Sequence, residues 1–185
     1  KDESTIVIGA HYDTCLAQGA DDNASGVAAI LELAGLLKSI EAKLKHRFIL
    51  VAWPLEEPPF FASEDMGSFH HAKFLKQKNT PVELMISLEM LGYYSDEVDS
   101  QKYPLPQMSE SYPNKGNFIA IIGRPFEQKI VTKVHKSFKA SKLIPTESLV
   151  APPLVTGVDF SDHRNYWIHG YNAIMITDTA FLRNP

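Results

Sequence analysis

The chain carries one cysteine, Cys15, in 185 residues. An internal disulfide framework and a thiolate zinc cluster are therefore excluded. Cys15 shares a loop with His11, but nothing nearby marks it as an activated nucleophile. Basic residues are outnumbered 18 to 22, giving a net charge of -4. A nucleic-acid interface needs a basic surface to neutralise phosphates, so that class of partner is set aside. No apolar run approaches the roughly 20 residues that span a bilayer. A Gly-x-Ser-x-Gly elbow is missing, and so is a phosphate-binding glycine loop, which removes serine-esterase and nucleotide chemistry. No signal peptide is visible either. The chain enters a core strand within its first few residues and stops at Pro185 shortly after another, so it reads as an excerpt whose leader, if any, lies elsewhere.

What is present is ordinary for a globular protein: 44% hydrophobic and 22% charged residues. The length suits one domain over residues 1–185. Residues 5–10 and 48–53 read as strands buried on both faces, and residues 82–88, 117–122 and 173–176 as further strands. A helical pattern begins at Ser25, with Val27, Ile30, Leu31, Ala34 and Leu37 on one face. Residues 67–78 and 126–140 read as helices, and residues 161–169 as the start of a short one capped by Ser161 or Asp162. Residues 93–115 are polar and broken by Pro104, Pro106 and Pro113, as in a long surface excursion beside a functional site. Residues 149–158 read as irregular. Alternating strands and helices predict an α/β fold: a three-layer α/β/α arrangement around a central, mostly parallel (mixed) sheet, with its site at the carboxyl ends of the strands.

At those ends stand residues that can hold cations. His11 closes the first strand, and Asp13, two residues on, can accept its second ring N–H and fix its tautomer. Asp21 and Asp22 precede Ala24, Ser25 and Gly26, small residues that let backbone pass close beneath a metal. One carboxylate has two oxygens, so Asp22 can bridge two ions. Glu56-Glu57 follows an apolar strand, with one acid free to coordinate and its neighbour to act as a general base. Glu89 ends the third strand. Asp162-His163 repeats the pairing of imidazole and carboxylate. Each piece has a structural alternative: a hydrogen-bonded loop histidine, a helix cap, a surface acid. Their joint occurrence at strand ends is what points to a metal site.

These residues resemble those of metallopeptidase family 28, the co-catalytic two-zinc aminopeptidases of bacterial type. The resemblance runs from Ile6 to about Leu182. It rests on His11-x-Asp13, on Gly-Ala-Asp-Asp22-Asn-Ala-Ser-Gly opening a helix, on Glu56-Glu57, on Gly67-Ser68, on Glu89 and on Ser-Asp-His163. It implies a phosphorylase/hydrolase-like fold and two Zn2+ ions, with Mn2+ or Co2+ able to substitute. His11 and Glu89 would hold one ion, Glu57 and His163 the other, and Asp22 would bridge them. Glu56 would be the base acting on a metal-activated water, and Asp13 and Asp162 would support the two histidines. A cis bond after Asp22 is common in such enzymes. The implied substrate is a peptide with a free N-terminus, and export to the periplasm or outside the cell is the implied location. Three features depart from the family pattern: a Glu at position 89 where Asp is usual, a longer loop after Glu57, and the lack of edge elements before the first strand and after the last. Phe60, Phe61, Tyr93, Tyr94, Tyr103 and Phe160 are expected to line the substrate pocket and select a bulky apolar first residue. The alternatives are a single-zinc glutaminyl cyclase-like acyltransferase, which would lack the first histidine ligand, a hydrolase of another amide, and a non-catalytic interaction domain on the same fold.

Overall fold

The computed structural model describes residues 4–16 and 18–184. Six strands form one sheet: β1 (Thr5–His11), β2 (Arg47–Trp53), β3 (Val82–Glu89), β4 (Ile119–Gly123), β5 (Thr146–Val150) and β6 (Ala173–Thr177). Their order is β2-β1-β3-β6-β4-β5. The first four in that order run parallel, β4 runs antiparallel to β6, and β5 runs parallel to β4. The mixed, mostly parallel sheet is thus as expected.

Two apolar layers cover it. Val7, Trp53, Met85, Ala120, Ile122 and Met175 point to one face, where Ala72 and Leu75 of α2 (Gly67–Gln77) and Tyr166 and Trp167 of α4 (His163–Ile168) pack. Ile8, Leu88, Ile121 and Ile176 point to the other, against Ile30 of α1 (Gly26–Ser39) and Val131 of α3 (Gln128–Ser141). This alternation is the period-2 pattern of strands covered on both sides. Gly9 is needed where it stands: a Cβ there would come within 2.2 Å of the Trp53 ring, which crosses the strand on the α2/α4 face.

Three expectations need correction. β2 is an edge strand with only Trp53 fully buried, because β1 covers one of its sides and, among the described residues, no strand pairs with the other. β5 lies where residues 146–148 carried no strand expectation and residues 149–158 were read as irregular. Glu147 and Ser148 dilute its apolar pattern, as is common on a sheet edge. In α1, Val27 and Ile30 pack on the core as expected, but Leu31 is 70% exposed and Ala34 is exposed, and Gly26 and Leu33 join the inward face.

Candidate metal centre and active site

The parallel strands bring their carboxyl ends to one rim, and the acids gather there. His11, the last residue of β1, is fully buried. Its Nδ1 donates to the backbone carbonyl of Asp13 at 3.1 Å, which leaves Nε2 facing the rim. Nε2 stands 3.1 Å from Asp22 Oδ1, 3.4 Å from Glu89 Oε2 and 3.9 Å from Glu56 Oε2. None of these contacts has hydrogen-bond alignment, and both His11 Nε2 and Asp22 Oδ1 are buried without a partner. Ligand atoms of His11, Asp22 and Glu57 lie within 4.8 Å of one another.

The supports of this cluster differ from those expected. The Asp13 carboxylate does not hold His11, since its Oδ1 is 3.6 Å from Nδ1. It accepts instead from the backbone N–H groups of Glu56 (3.2 Å) and Glu57 (3.0 Å), which fixes the turn that presents both acids. The peptide bond from Asp22 to Asn23 is cis, as the resemblance implied. Asn23, buried, staples this loop to the end of β3: its Nδ2 donates to Leu88 O at 2.8 Å, and its Oδ1 accepts from Met90 N at 3.1 Å and Gly26 N at 3.2 Å. Ser161 donates to Glu89 Oε2 at 2.7 Å and also contacts Ser87 Oγ at 2.8 Å. Neither Asn23 nor Ser161 was singled out as a site residue. The clue to Asn23 was its place between Asp22 and the small residues. Nothing in the sequence marked Ser161 beyond its capping type.

His163 is not brought to Glu57. Its ring is buried on the α2/α4 face, edge-on to Trp167 at 4.5 Å, and its Nε2 donates to Val158 O at 2.8 Å. Burial, with the nearby charges of Arg164 and Arg124, pushes the imidazole down to about 4. Those surroundings are cationic, the reverse of a metal pocket. Asp162 does not support His163 either. It is buried, with both oxygens unpaired, and its charge acts on Glu56.

The electrostatics of the rim call for positive charge. Burial opposes protonation of His11, yet Asp22 and Glu89 outweigh it and push the ring up to about 12. Burial, then Glu89 and Asp162, hold Glu56 well above the usual carboxylate range. Burial, then Asp22, push Glu57 up to about 7. One imidazole lone pair and several carboxylate oxygens, packed together and poorly satisfied, are the donor set that borderline-hard divalent cations accept. On that test the residues fit a metal.

Beside the cluster opens a cavity of about 450 Å³. Asp22, Glu56, Glu57 and Glu89 stand at one end, and Phe61, Tyr103 and Phe160 line it as expected. Phe60, Tyr93 and Tyr94 do not: each is 37–40% exposed outside it, and Tyr94 instead lies against the Arg183 guanidinium, 5.7 Å from its ring. Phe181, Met108 and Leu149 take the places foreseen for them. The loop after Glu57 shapes the mouth through Pro58 and Phe61, whose ring packs edge-on to Phe160 at 5.7 Å. Arg183 fastens the roof. It is buried, and it donates to Gln101 Oε1 (2.8 Å from Nη2) and to the carbonyls of Tyr93 (3.1 Å) and Phe118 (3.0 Å).

The family model described as peptidase family M28 matches residues 1–183. The chain belongs to peptidase family M28. It is 48% identical over 192 residues to the uncharacterized protein YfbL of Escherichia coli K12, covering 99% of this chain and 58% of YfbL. It is 32% identical over 97 residues to aminopeptidase YwaD of Bacillus subtilis, covering 50% of this chain and 19% of YwaD. The chain thus spans less than two thirds of the length of either curated relative. Among solved structures, LapA of Legionella pneumophila superposes with a TM-score of 0.73 at 21% identity, covering 100% of this chain and 44% of LapA. The zinc aminopeptidase BSAP of Bacillus subtilis gives a TM-score of 0.65 at 20% identity over 96% of this chain and 36% of BSAP. These likenesses establish the fold.

Proposed function

We propose that this M28 protein is a metal-dependent aminopeptidase that removes first residues from peptides with a free N-terminus. The observation that carries the reading is the buried His11 Nε2, unpaired and facing Asp22, Glu89 and Glu56, with Glu57 in reach of the same centre. His11 and Glu89 would hold one divalent ion, Glu57 a second, and Asp22 both, with zinc the first candidate. When bound, such ions supply positive charge to acidify a water and to stabilise the oxyanion of amide hydrolysis. With His163 elsewhere, the Glu57 side offers only carboxylates among the described residues.

The remaining roles belong to the chain. Glu56, ionised beside the bound ions, would take a proton on Oε2 from the attacking water and return it to the leaving amine. Asp13 holds the Glu56-Glu57 turn through two backbone N–H groups, and Ser161 orients Glu89. Names of similar proteins, aminopeptidase YwaD and the zinc aminopeptidase BSAP, agree with the reading. The intact His11 disfavours the single-zinc cyclase, and the complete set of acids disfavours an inert interaction domain. The test is elemental analysis for metal together with hydrolysis of leucine anilide before and after chelation. Activity lost to the chelator and restored by zinc is expected; a rate indifferent to chelation would sink the proposal.

A further inference from the structure

One row of the sheet carries an acid at each end. Glu89 on β3 is paired with Thr177 on β6, Thr177 with Ala120 on β4, and Ala120 with Glu147 on β5. Directly paired residues project to the same face, and all four line the cavity. Ser148 confirms the direction of its neighbour: its Oγ contacts His135 Nδ1 on α3 at 3.2 Å, on the opposite face, so Glu147 points into the cavity. Three strand spacings of about 4.8 Å separate the row's ends, about 14 Å between Cα atoms. Only Thr177 and Ala120 lie between them, and both are small. The cavity is therefore a trough from the proposed metal centre to a second carboxylate.

No cation and no hydrogen-bond donor pairs with the Glu147 side chain among the described residues. Two phenols feel its charge. Burial first, then Glu147, raise Tyr103 to about 12 and move Tyr112 in the same direction. Both hydroxyls nevertheless give their protons away, Tyr103 to Pro113 O and Tyr112 to Ser148 O. The carboxylate is thus left unneutralised at the end of an apolar trough.

We propose that Glu147 selects peptides whose first residue is lysine or arginine. This rests on the aminopeptidase reading above and replaces the expected preference for a purely apolar side chain. The α-amine and scissile bond would lie at the Glu89 end. The aliphatic stem would run over Ala120 and Met175, and the cationic head would meet Glu147. Aromatic walls at Phe160 and Phe181 suit the stem, and also a guanidinium.

The test compares the zinc-loaded full chain with its Glu147→Gln and Glu147→Leu variants on lysyl, arginyl, norleucyl and leucyl anilides. Calorimetric binding of lysinamide and norleucinamide is measured alongside. A charge-assisted contact predicts that Glu147→Gln loses about tenfold to a hundredfold in kcat/KM on the lysyl substrate, with norleucyl changed less than about threefold. Glu147→Leu should reverse the preference. Hydrolysis that favours norleucyl over lysyl in the parent, or a lysyl preference that survives Glu147→Gln, overturns the role of Glu147 while leaving the aminopeptidase reading intact. If no anilide is cleaved but lysinamide binds more tightly than norleucinamide in a Glu147-dependent way, the aminopeptidase reading falls and the cation site stands. Equal binding of the two amides by the parent overturns the cation site.

Discussion

Asn23→Ala removes the staple between the Asp22 loop and the end of β3. The side chain is about 1% exposed and makes three hydrogen bonds. They are not equivalent. Gly26 N keeps its contact with the Asn23 carbonyl, so it loses only a second acceptor. Leu88 O loses one donor. Met90 N, beyond the end of β3, has no other acceptor among the described residues and is left bare. A buried orphan donor costs about 1–3 kcal/mol and each ordinary lost bond about 1 kcal/mol, so the sum is about 4 kcal/mol. At about 2–4 °C per kcal/mol for a chain of this size, the melting temperature should fall by roughly 8–16 °C. Calorimetry measures it. Because Asp22 sits on the same loop, hydrolysis should drop by about a hundredfold at temperatures where the variant is still folded, as expected for a ligand misplaced by about 1 Å. A variant that melts within 2 °C of the parent and keeps its rate would refute the view that Asn23 fixes Asp22.

Three further outcomes can be checked. Glu56→Gln should lower kcat by about a hundredfold to ten-thousandfold. Its metal content by elemental analysis should equal that of the parent, because Glu56 is read as base and not as ligand. Asp13→Ala should lower activity by about tenfold or more through a loosened Glu56-Glu57 turn while leaving His11 in place; an unchanged rate would remove Asp13 from the positioning set. His163 has a folded-state value pushed down to about 4, below its ordinary 6.5, so its stabilising effect is complete above pH 6.5 and is lost as pH falls toward 4. The loss approaches about 3 kcal/mol, and denaturant titrations of the parent and His163→Gln should converge at pH 4 and separate at pH 7.

Much of this architecture could be read before any coordinates. Strands β1, β3 and β6 announce themselves as largely apolar runs, and each stops where polarity begins, which is why His11 and Glu89 were found at the rim. The acids of the 56–57 turn were legible for the same reason. His163 misled because adjacency on a helix hides direction. Successive residues turn by about 100°, so Asp162 and His163 cannot both face one site. Asp162 takes the side of Glu56, and His163 turns into the core beneath Trp167. Asp13 misled because side-chain reach was read without the turn that competes for its carboxylate. The aromatic residues of the 57–65 and 93–115 loops were a coin toss, since no periodicity fixes where an irregular backbone points a ring. Phe61 entered the cavity and Phe60 did not.

The antiparallel junction between β6 and β4 has a practical consequence. On one side of it, strand exits hold the residues of the proposed metal centre; on the other, strand entrances hold the cavity's far wall. Ala120 and Glu147 are each the second residue of their strand, β4 and β5. If the proposed function holds, specificity would be open to re-engineering from those two positions, on the half of the sheet that does not carry the proposed metal centre.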